Sequence, residues 1–510
     1  MFESMSGRSN RRALASEWFG PERGARTYVV SRWLWLRLLG VVFFSAFYSL
    51  SFQIQGLIGP RGILPAGEYL ATLRATLGLR AFWSAPSLFW IGSSRSACMA
   101  VVAAGLLASV CLILNFHPRA SILIAGICFL SFVAAARDFS GYQSDGMLLE
   151  AAALSFFFAP RGARPRLGLS DPPTRIAHFL LIWEWLRIYF ESGIVKLASG
   201  ETQWRDLTAM DRYYENGPLP TWIGWYVQHL PHGFHAASAA TTLIVELFVV
   251  WLGFFPRRSR IVAFLLTTPL QLLIILTANY AFLNYLVLFL GVLLLDDGLF
   301  RRLGFTLTLP TLDSPPHRVA GTFLTAVFVT SVVMFLFPGF PPAVALGPFR
   351  IVNNYGLFAV MTRSRYEIEF QGTRDGSIWT AYPFRYKPQD VLERPVIFAP
   401  YQPRFDWNLW FASLGPWQEN PMVSRTGQLL LQNDADVLGL FAGNPFPNEP
   451  PRFIRSVLWE YWFSSRAEKR TQGVWWRRQF LGTYAPTLAR MPDGSIEQVA
   501  PPTLVRPPAP

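Results

Sequence analysis

Long apolar runs alternate with short polar segments over the first two thirds of the chain, and this pattern sets the expected architecture. A helix that crosses a bilayer needs about 20 predominantly apolar residues. The runs predicted to span the membrane are 33–53, 97–115, 120–136, 146–160, 177–197, 236–255, 261–278, 280–296 and 319–337. Because two runs are short and two adjoin, the pattern predicts eight or nine transmembrane helices.

The pattern changes after Pro338, where charged residues, prolines and alternating positions replace the apolar runs. Residues 365–371 alternate apolar and acidic side chains, which is the period of a half-buried strand. The segment 372–376 is a turn sequence, and 378–386 is predicted to be the returning strand. The tryptophan-rich segments after Asp406 are typical of helices. An α+β soluble domain is therefore expected to follow the spans.

The stretch 369–379 resembles a hairpin of discoidin-like β-sandwiches, so a β-sandwich-like sheet is expected within this domain. The alternative for this stretch is a plain hairpin whose Trp379 packs in the core, and this alternative is favoured. The composition shifts give the expected domain boundaries. They predict a cytoplasmic arm (1–31), a transmembrane helical domain (32–338), an extracytoplasmic soluble domain (339–491) and a Pro-rich, disordered tail (492–510).

Charge distribution predicts the orientation of the chain. The net charge is +13, and hydrophobic residues make up 52% of the sequence. The nine-span order places the arginine-rich segments 8–26, 161–166, 257–260 and 301–318 on one side of the bilayer, as the positive-inside rule requires of cytoplasmic loops. The N-terminus is therefore expected in the cytoplasm and the C-terminal domain outside it. With no basic stripe on a polar domain, the sequence argues against nucleic-acid binding.

Lysine usage points to the source of the sequence. Lys196, Lys387 and Lys469 are the only lysines among 45 basic residues. This bias is typical of a GC-rich, bacterial genome, so the expected location is a bacterial inner membrane.

Charged residues within the predicted spans are candidates for a functional site, because they are costly in lipid and usually face a protein interior or a watery cavity. Glu184, Arg187 and Glu191 lie on one helical stripe. Together with Asp145 and Glu150 of the preceding span, they are predicted to form an intramembrane polar cluster. The cluster either locks the two helices together or lines a cavity that binds a head group or substrate. The residues favour the lock.

Lys196 is the candidate catalytic residue. An amine can give up its proton where a guanidinium cannot, and this chain uses arginine almost everywhere else. On a regular helix Lys196 is rotated by about 120° from the stripe that begins at Glu184. The alternative is a lysine at the outer end of a span whose side chain reaches toward water, and this alternative is favoured.

A second set of candidates lies in the C-terminal domain. Arginine and aromatic side chains dominate binding hot spots, so an arginine and an aspartate among aromatic residues are candidates for a protein-binding surface. Alternatively, the same residues fasten the domain to the membrane half, and the sequence leaves both interpretations open. The candidates are Asn354, Tyr355, Gln402, Arg404, Asp406 and Trp407.

Motifs for enzymatic chemistry are absent from the sequence. It contains no GxSxG, Walker A, GxGxxG or HExxH string. No motif therefore supports a hydrolase, nucleotide-binding or zinc-protease function. His229, His232 and His235 have a metal-like spacing, but Pro231 and Gly233 interrupt the helix this spacing requires. The sequence therefore predicts no cofactor and no metal.

Several strings resemble those of the lipase maturation factor family, in the family's order from about residue 30 to 490. The resemblance implies a multi-pass protein that, in animals, lies in the endoplasmic reticulum membrane and helps secreted lipases reach their active form. The strings are YQSDGMLLE (142–150), SGIVKL (192–197), WRDLT (204–208), GPLP (217–220), NNYGLFAVMT (353–362), QPRFDW (402–407), NPFP (444–447) and PPRFI (450–454).

A shorter stretch resembles another membrane protein. YFESGIVKL (189–197), followed by Trp204, is similar to a segment after a membrane helix in vitamin K-dependent γ-carboxylase and its bacterial relatives. The resemblance implies that Lys196 matches a lysine that serves there as the catalytic base.

Two functions follow from these observations. The favoured one is a chaperone-like maturation or assembly factor in the membrane, with membrane lipids and a secreted, lipase-like client as partners. The alternative is a membrane enzyme or lipid-binding protein that uses Lys196 together with the intramembrane Glu/Arg cluster. Because the first function is favoured, catalysis is not expected.

Overall fold

The computed structural model of the protein describes residues 28–304, 318–337 and 339–504. The N-terminal part is helical. Its longer helices are α1 (Val29–Ile58), α2 (Ala66–Leu77), α3 (Arg95–Ile113), α4 (Pro118–Ala135), α5 (Gln143–Phe158), α6 (Arg175–Ala198), α7 (Trp222–Gln228), α8 (His232–Leu247), α9 (Arg257–Thr277), α10 (Leu283–Gly291) and α11 (Arg318–Leu336).

Five of these helices are long and apolar enough to cross a bilayer: α1, α3, α4, α9, and α8 with its continuation to Phe254. A sixth candidate is α11 with the segment Pro341–Phe349, to which it is joined at a bend of 115°. The other three predicted spans correspond to α5 with 16 residues, the charged α6 and the short α10. The result is a helical membrane domain with five or six candidate spans, so the predicted eight or nine are not confirmed.

Helix α1 lies in the centre of this domain and packs against α3, α4, α5 and α10. Its closest neighbour is α3, and Gly105 makes the close approach possible. A Cβ atom at Gly105 would lie 2.3 Å from the ring of Phe47 in α1. The two helices therefore pack at a distance that only glycine permits.

The C-terminal part contains one antiparallel sheet with the strands β1 (Arg365–Thr373), β2 (Thr380–Ala381), β3 (Phe453–Phe463), β4 (Trp476–Thr483), β5 (Thr487–Arg490) and β6 (Ile496–Ala500). The strand order is β2-β1-β3-β5-β6, and β4 also pairs with β3. Two helices, α12 (Arg404–Ser413) and α13 (Pro421–Leu431), pack against β1 and β3. The second layer is thus helical, and the expected β-sandwich-like arrangement is wrong for the described residues.

Strand β1 forms where alternation predicts it, but it is buried along all nine residues. Its acidic side chains are accommodated by ion pairs, since Lys387 Nζ lies 2.8 Å from the Glu367 carboxylate. The half-buried interpretation was therefore wrong. The returning strand is also shorter than predicted, because β2 pairs with β1 only at Thr380 and Ala381.

Residues 492–504 are ordered, which corrects the expected disordered tail. Asp493 and Gly494 form a hairpin turn: Gly494 has a φ of +85°, and the Ser495 N–H donates to Asp493 Oδ1 at 2.9 Å. The turn returns the chain as β6, which pairs with β5. Residues 505–510 of the predicted tail and 1–27 of the predicted cytoplasmic arm lie outside the described residues.

The contact between α1 and α3 gives a prediction about stability. Gly105→Ala forces the Phe47 ring or the helix backbone to shift, so the free energy of unfolding should fall by about 1–3 kcal/mol. The matched control is Gly126→Ala in α4, where a Cβ would meet no atom of the described residues within 4 Å. That control should raise stability by up to about 1 kcal/mol through helix propensity. Denaturant titration of the purified protein measures both, and equal effects would contradict the close contact.

Candidate functional site

Arg404 and Asp145 join the C-terminal part to the membrane helices. Arg404 stands at the start of α12, and Asp145 lies in the first turn of α5. The two guanidinium NH groups donate to the two carboxylate oxygens of Asp145, both at 2.8 Å, and the side chains are 0% and 1% exposed. A bidentate arginine–carboxylate pair is among the stronger hydrogen-bonded contacts in proteins. Since neither charge reaches water, each depends on the other for compensation.

Helix α1 takes part in the same contact through Gln53. Its amide NH2 donates to the carbonyl of Gln402 at 2.9 Å, and its amide oxygen accepts the backbone N–H of Arg404 at 2.8 Å. The Arg404 guanidinium also lies 4.8 Å from the ring centroid of Phe132 in α4. The QPRFDW string therefore docks against three helices of the membrane half.

A second buried cluster consists of Glu150, Arg187 and Glu191, and we call it the Arg187 cluster. It joins α5 and α6 to the segment 353–358, which we call the linker segment. Arg187 donates to Glu150 at 2.9 Å and to Glu191 at 3.0 Å. The remaining carboxylate oxygens accept from the linker segment: Glu150 Oε2 from the Asn353 N–H at 3.0 Å and the Tyr355 hydroxyl at 2.7 Å, and Glu191 Oε2 from the Tyr355 N–H at 2.8 Å. All these polar groups are buried, so the cluster satisfies its own hydrogen bonds.

Gly146 in α5 is required by this arrangement. The Asn353 amide donates to the Gly146 carbonyl at 3.1 Å. A Cβ at Gly146 would lie 2.7 Å from Asn353 Oδ1, so a larger residue would push the linker segment away. This contact gives a physical reason for the glycine within the YQSDGMLLE string.

The structure brings together only part of the predicted intramembrane cluster. Glu150, Arg187 and Glu191 meet between α5 and α6 as ion pairs, which is the lock interpretation. Asp145 instead pairs with Arg404. Glu184 is buried and makes no ion pair with the described residues. The linker segment, which supplies the other half of the cluster, was not predicted as a partner.

Most candidates for a protein-binding surface are inaccessible. Their burial favours the fastening interpretation and removes them from any surface that a partner could reach. Asn354 remains exposed. The buried candidates are Tyr355, Gln402, Arg404, Asp406 and Trp407.

Asp406 has a structural role within the C-terminal domain. Its Oδ1 accepts the backbone N–H groups of Tyr386 and Lys387, each at 3.3 Å. Burial raises the pKa of the Asp406 carboxyl to about 6, and the nearby Lys387 charge limits the rise. The carboxylate thus holds the chain after β2 against α12.

Lys196 does not reach toward water. Its Nζ donates to both carboxylate oxygens of Glu246, at 2.6 and 2.7 Å, and it lies 5.0 Å from the ring centroid of Trp204. Because Lys196 is buried, the interpretation as an interfacial lysine is wrong. Glu246 was not predicted as its partner, although it is the only ionisable residue in the apolar run 236–255.

The Lys196–Glu246 pair lines a cavity of about 370 Å³ enclosed by α6, α8, α9 and α10. Most of its wall is apolar. The residues Glu184, Arg187 and Glu191 are not part of the lining. The prediction that Lys196 and the acidic stripe line one cavity is therefore wrong. Lys196 is rotated by about 120° from the stripe along α6, so its side chain lies on a different side of the helix.

These features define a multi-pass membrane protein whose C-terminal sheet domain is fastened to its helices by a buried ion pair and by buried hydrogen bonds. Family models describe both parts. Residues 30–302 match the lipase maturation factor transmembrane domain, and residues 351–486 match the lipase maturation factor C-terminal domain. The chain belongs to the lipase maturation factor family.

Individual relatives are similar over nearly their whole length. Lipase maturation factor 1 of Bos taurus is 30% identical, and the match covers 91% of this chain and 90% of the relative. Lipase maturation factor 2 of Homo sapiens is also 30% identical, and the match covers 91% of this chain and 83% of the relative. No solved structure matches. The family resemblance is thus confirmed, and the resemblance to the γ-carboxylase stays a prediction.

The Arg404–Asp145 pair gives a prediction about stability. Arg404→Met leaves Asp145 buried and uncompensated, so the free energy of unfolding should fall by about 3–5 kcal/mol. The double variant Arg404→Met/Asp145→Leu removes both charges and should recover most of that loss. Denaturant titration of each purified variant gives the coupling between the two residues.

The control for this cycle is an exposed pair. Arg374 and Glu449 lie 3.8 Å apart with side chains 50% and 73% exposed, so Arg374→Ala should change stability by less than about 1 kcal/mol. If Arg404→Met is as mild as this control, or if the double variant recovers nothing, the pair does not fasten the two parts.

Proposed function

We propose that this protein assists the maturation of a secreted lipase, or of a related exported protein, from within the membrane. The observation that carries the proposal is the similarity to lipase maturation factors through both parts of the chain, at 91% coverage of the chain. The strings at the buried ion pairs, 142–150, 353–362 and 402–407, are those that resemble the family. The role is chaperone-like, and it does not require a reaction.

The Arg404–Asp145 pair and the Arg187 cluster support this role because they hold the sheet domain at one position relative to the membrane helices. Arg404 and the linker segment, which hydrogen-bonds to the Arg187 cluster, are different segments of the C-terminal part. Two such attachments resist rotation of the domain about either one. A client emerging from the membrane would thus meet a binding surface at a constant height and orientation.

The proposed client surface is the sheet face that carries Trp379, Arg455, Trp459, Arg478 and Phe480, which we call the arginine–aromatic face. Arg455 lies 4.1 Å from the Trp379 ring centroid and Arg478 lies 4.2 Å from that of Trp459. Phe480 packs on Trp459 with their ring centroids 5.2 Å apart, yet it is 47% exposed. Arginine and large aromatic side chains are enriched in binding hot spots. The face fits an exported protein with an acidic rim around an apolar patch.

The proposed topology has nine spans, a cytoplasmic N-terminus and an extracytoplasmic C-terminal domain. The domains extend over 1–31, 32–338 and 339–491, with the hairpin strand β6 added to the last. The arginine distribution supports this orientation. It places the arginine–aromatic face on the side of the membrane where exported proteins fold.

Cysteine labelling tests the topology in a background in which Cys98, Cys111 and Cys128 are replaced by serine. Ser377 and Arg302 are both exposed and stand on opposite sides in the proposed orientation. A membrane-impermeant maleimide should label Ser377→Cys in intact spheroplasts and Arg302→Cys only after permeabilisation. The reverse labelling pattern would overturn the orientation.

Photocrosslinking tests the client surface. A benzoylphenylalanine at Phe480 should crosslink to a secreted lipase during its export, because that side chain is exposed and packs on Trp459 within the arginine–aromatic face. The matched control is Val499 on β6, which is also 47% exposed. Equal capture of the lipase at both positions would count against the proposed face.

A gene deletion tests the function itself. In the deletion strain, secreted lipase activity should fall while the lipase transcript and protein remain, because the client is made but does not mature. Full-length protein should restore the activity, and Phe480→Asp should restore less than Val499→Asp. Normal lipase activity in the deletion strain would overturn the proposed function.

A further inference from the structure

The cavity at Lys196 opens toward the surface between α8 and α9. These two helices are the least buried of the five candidate spans, because only 33% and 28% of the residues in their apolar stretches are buried. Phe234 on α8 and Leu273 on α9 line the cavity and are also 44% and 60% exposed. Ala237 and Thr241, which also line it, are exposed as well. Since these helices are long and apolar enough to cross a bilayer, their exposed sides face lipid, and the opening is lateral.

The polar part of the cavity wall carries no net charge. Lys196 is compensated by Glu246, and two of its three ammonium protons are directed at that carboxylate. A second polar group consists of neutral side chains: Asn284 donates to Gln271 at 2.7 Å, and Gln271 donates to the Tyr189 hydroxyl at 2.8 Å. These residues all line the cavity.

A mostly apolar wall, a lateral opening and a few polar groups without net charge together indicate the chemistry of the ligand. We propose that the cavity binds a membrane amphiphile with an apolar chain and an uncharged, hydrogen-bonding head group, such as a long-chain alcohol or a monoacylglycerol. Its volume of about 370 Å³ falls within the range of roughly 300–1,000 Å³ that small-molecule sites occupy. The inference does not depend on the client role.

The charge balance of the Lys196–Glu246 pair sets the head-group preference. A carboxylate head group would compete with Glu246 for Lys196 and leave one buried negative charge uncompensated. A hydroxyl or ester carbonyl instead adds hydrogen bonds to the pair, or to the Gln271–Asn284 amides, without adding charge. The site therefore selects neutral head groups over anionic ones.

The test uses the purified full-length protein in nanodiscs and a diazirine-bearing long-chain alcohol as the photoreactive probe. Peptide mapping by mass spectrometry should find the label on cavity-lining residues of α6, α8 and α9. Thr241→Trp, which fills the opening, should reduce this labelling by about tenfold, the equivalent of about 1.4 kcal/mol of binding free energy.

The matched control is Ile244→Trp, on the same helix, 54% exposed and outside the cavity lining. It should leave the labelling unchanged. Both variants are compared only if they elute from size-exclusion chromatography at the volume of the folded wild type. Labelling that is spread evenly over the lipid-facing helices, or that Thr241→Trp does not reduce, would overturn the site.

A matched probe with a carboxylate head group tests the selectivity. The alcohol probe should label the wild-type cavity more strongly, and Glu246→Gln, which leaves the Lys196 charge uncompensated, should reverse the preference. If Glu246→Gln does not fold, the wild-type comparison still decides the question. Equal or stronger labelling of the wild type by the carboxylate probe would overturn the neutral head-group preference.

Discussion

The structure depends on one constraint: a charge buried away from water must be compensated within the protein. Arg404 and Asp145 meet this constraint with two hydrogen bonds of 2.8 Å between the C-terminal domain and helix α5. Neither residue can keep its charge at this place without the other. The pair therefore works less as a source of stability than as a requirement that the sheet domain sit in one position on the helices.

The Arg187 cluster applies the same constraint to a different segment. Arg187 donates to only one oxygen of each of its two carboxylates, Glu150 and Glu191. The linker segment supplies the N–H and O–H groups that donate to the other two oxygens. The chain that leaves the last predicted span is thus held between α5 and α6 before it enters β1. With both attachments formed, the exposed arginine–aromatic face has a defined direction relative to the membrane helices.

The Lys196–Glu246 pair satisfies the constraint beside a cavity. Its charge is balanced within the pair, but the adjacent space is open to the lipid-facing side of α8 and α9. Two kinds of buried charged cluster thus occur in the membrane half. The Arg187 cluster and Asp145 are hydrogen-bonded by the C-terminal chain, whereas the Lys196–Glu246 pair borders the cavity.

The sequence by itself determined the features that depend on neighbouring residues. Apolar runs predicted the helices, alternation predicted β1, and the spacing of Glu184, Arg187 and Glu191 predicted their common stripe on α6, because helix and strand periods are local properties. The family was also recognisable from its strings. Only the tertiary structure decided which charged residues pair. Arg404 pairs with Asp145, 259 residues away in the sequence, and Lys196 pairs with Glu246, 50 residues away. Tyr355, Gln402 and Trp407 are buried in the structure, although the sequence made them candidates for a protein-binding surface. The physical reason is that an ion pair is chosen by how helices and strands pack, and a short stretch of sequence contains no information about the partner that packing will bring to it.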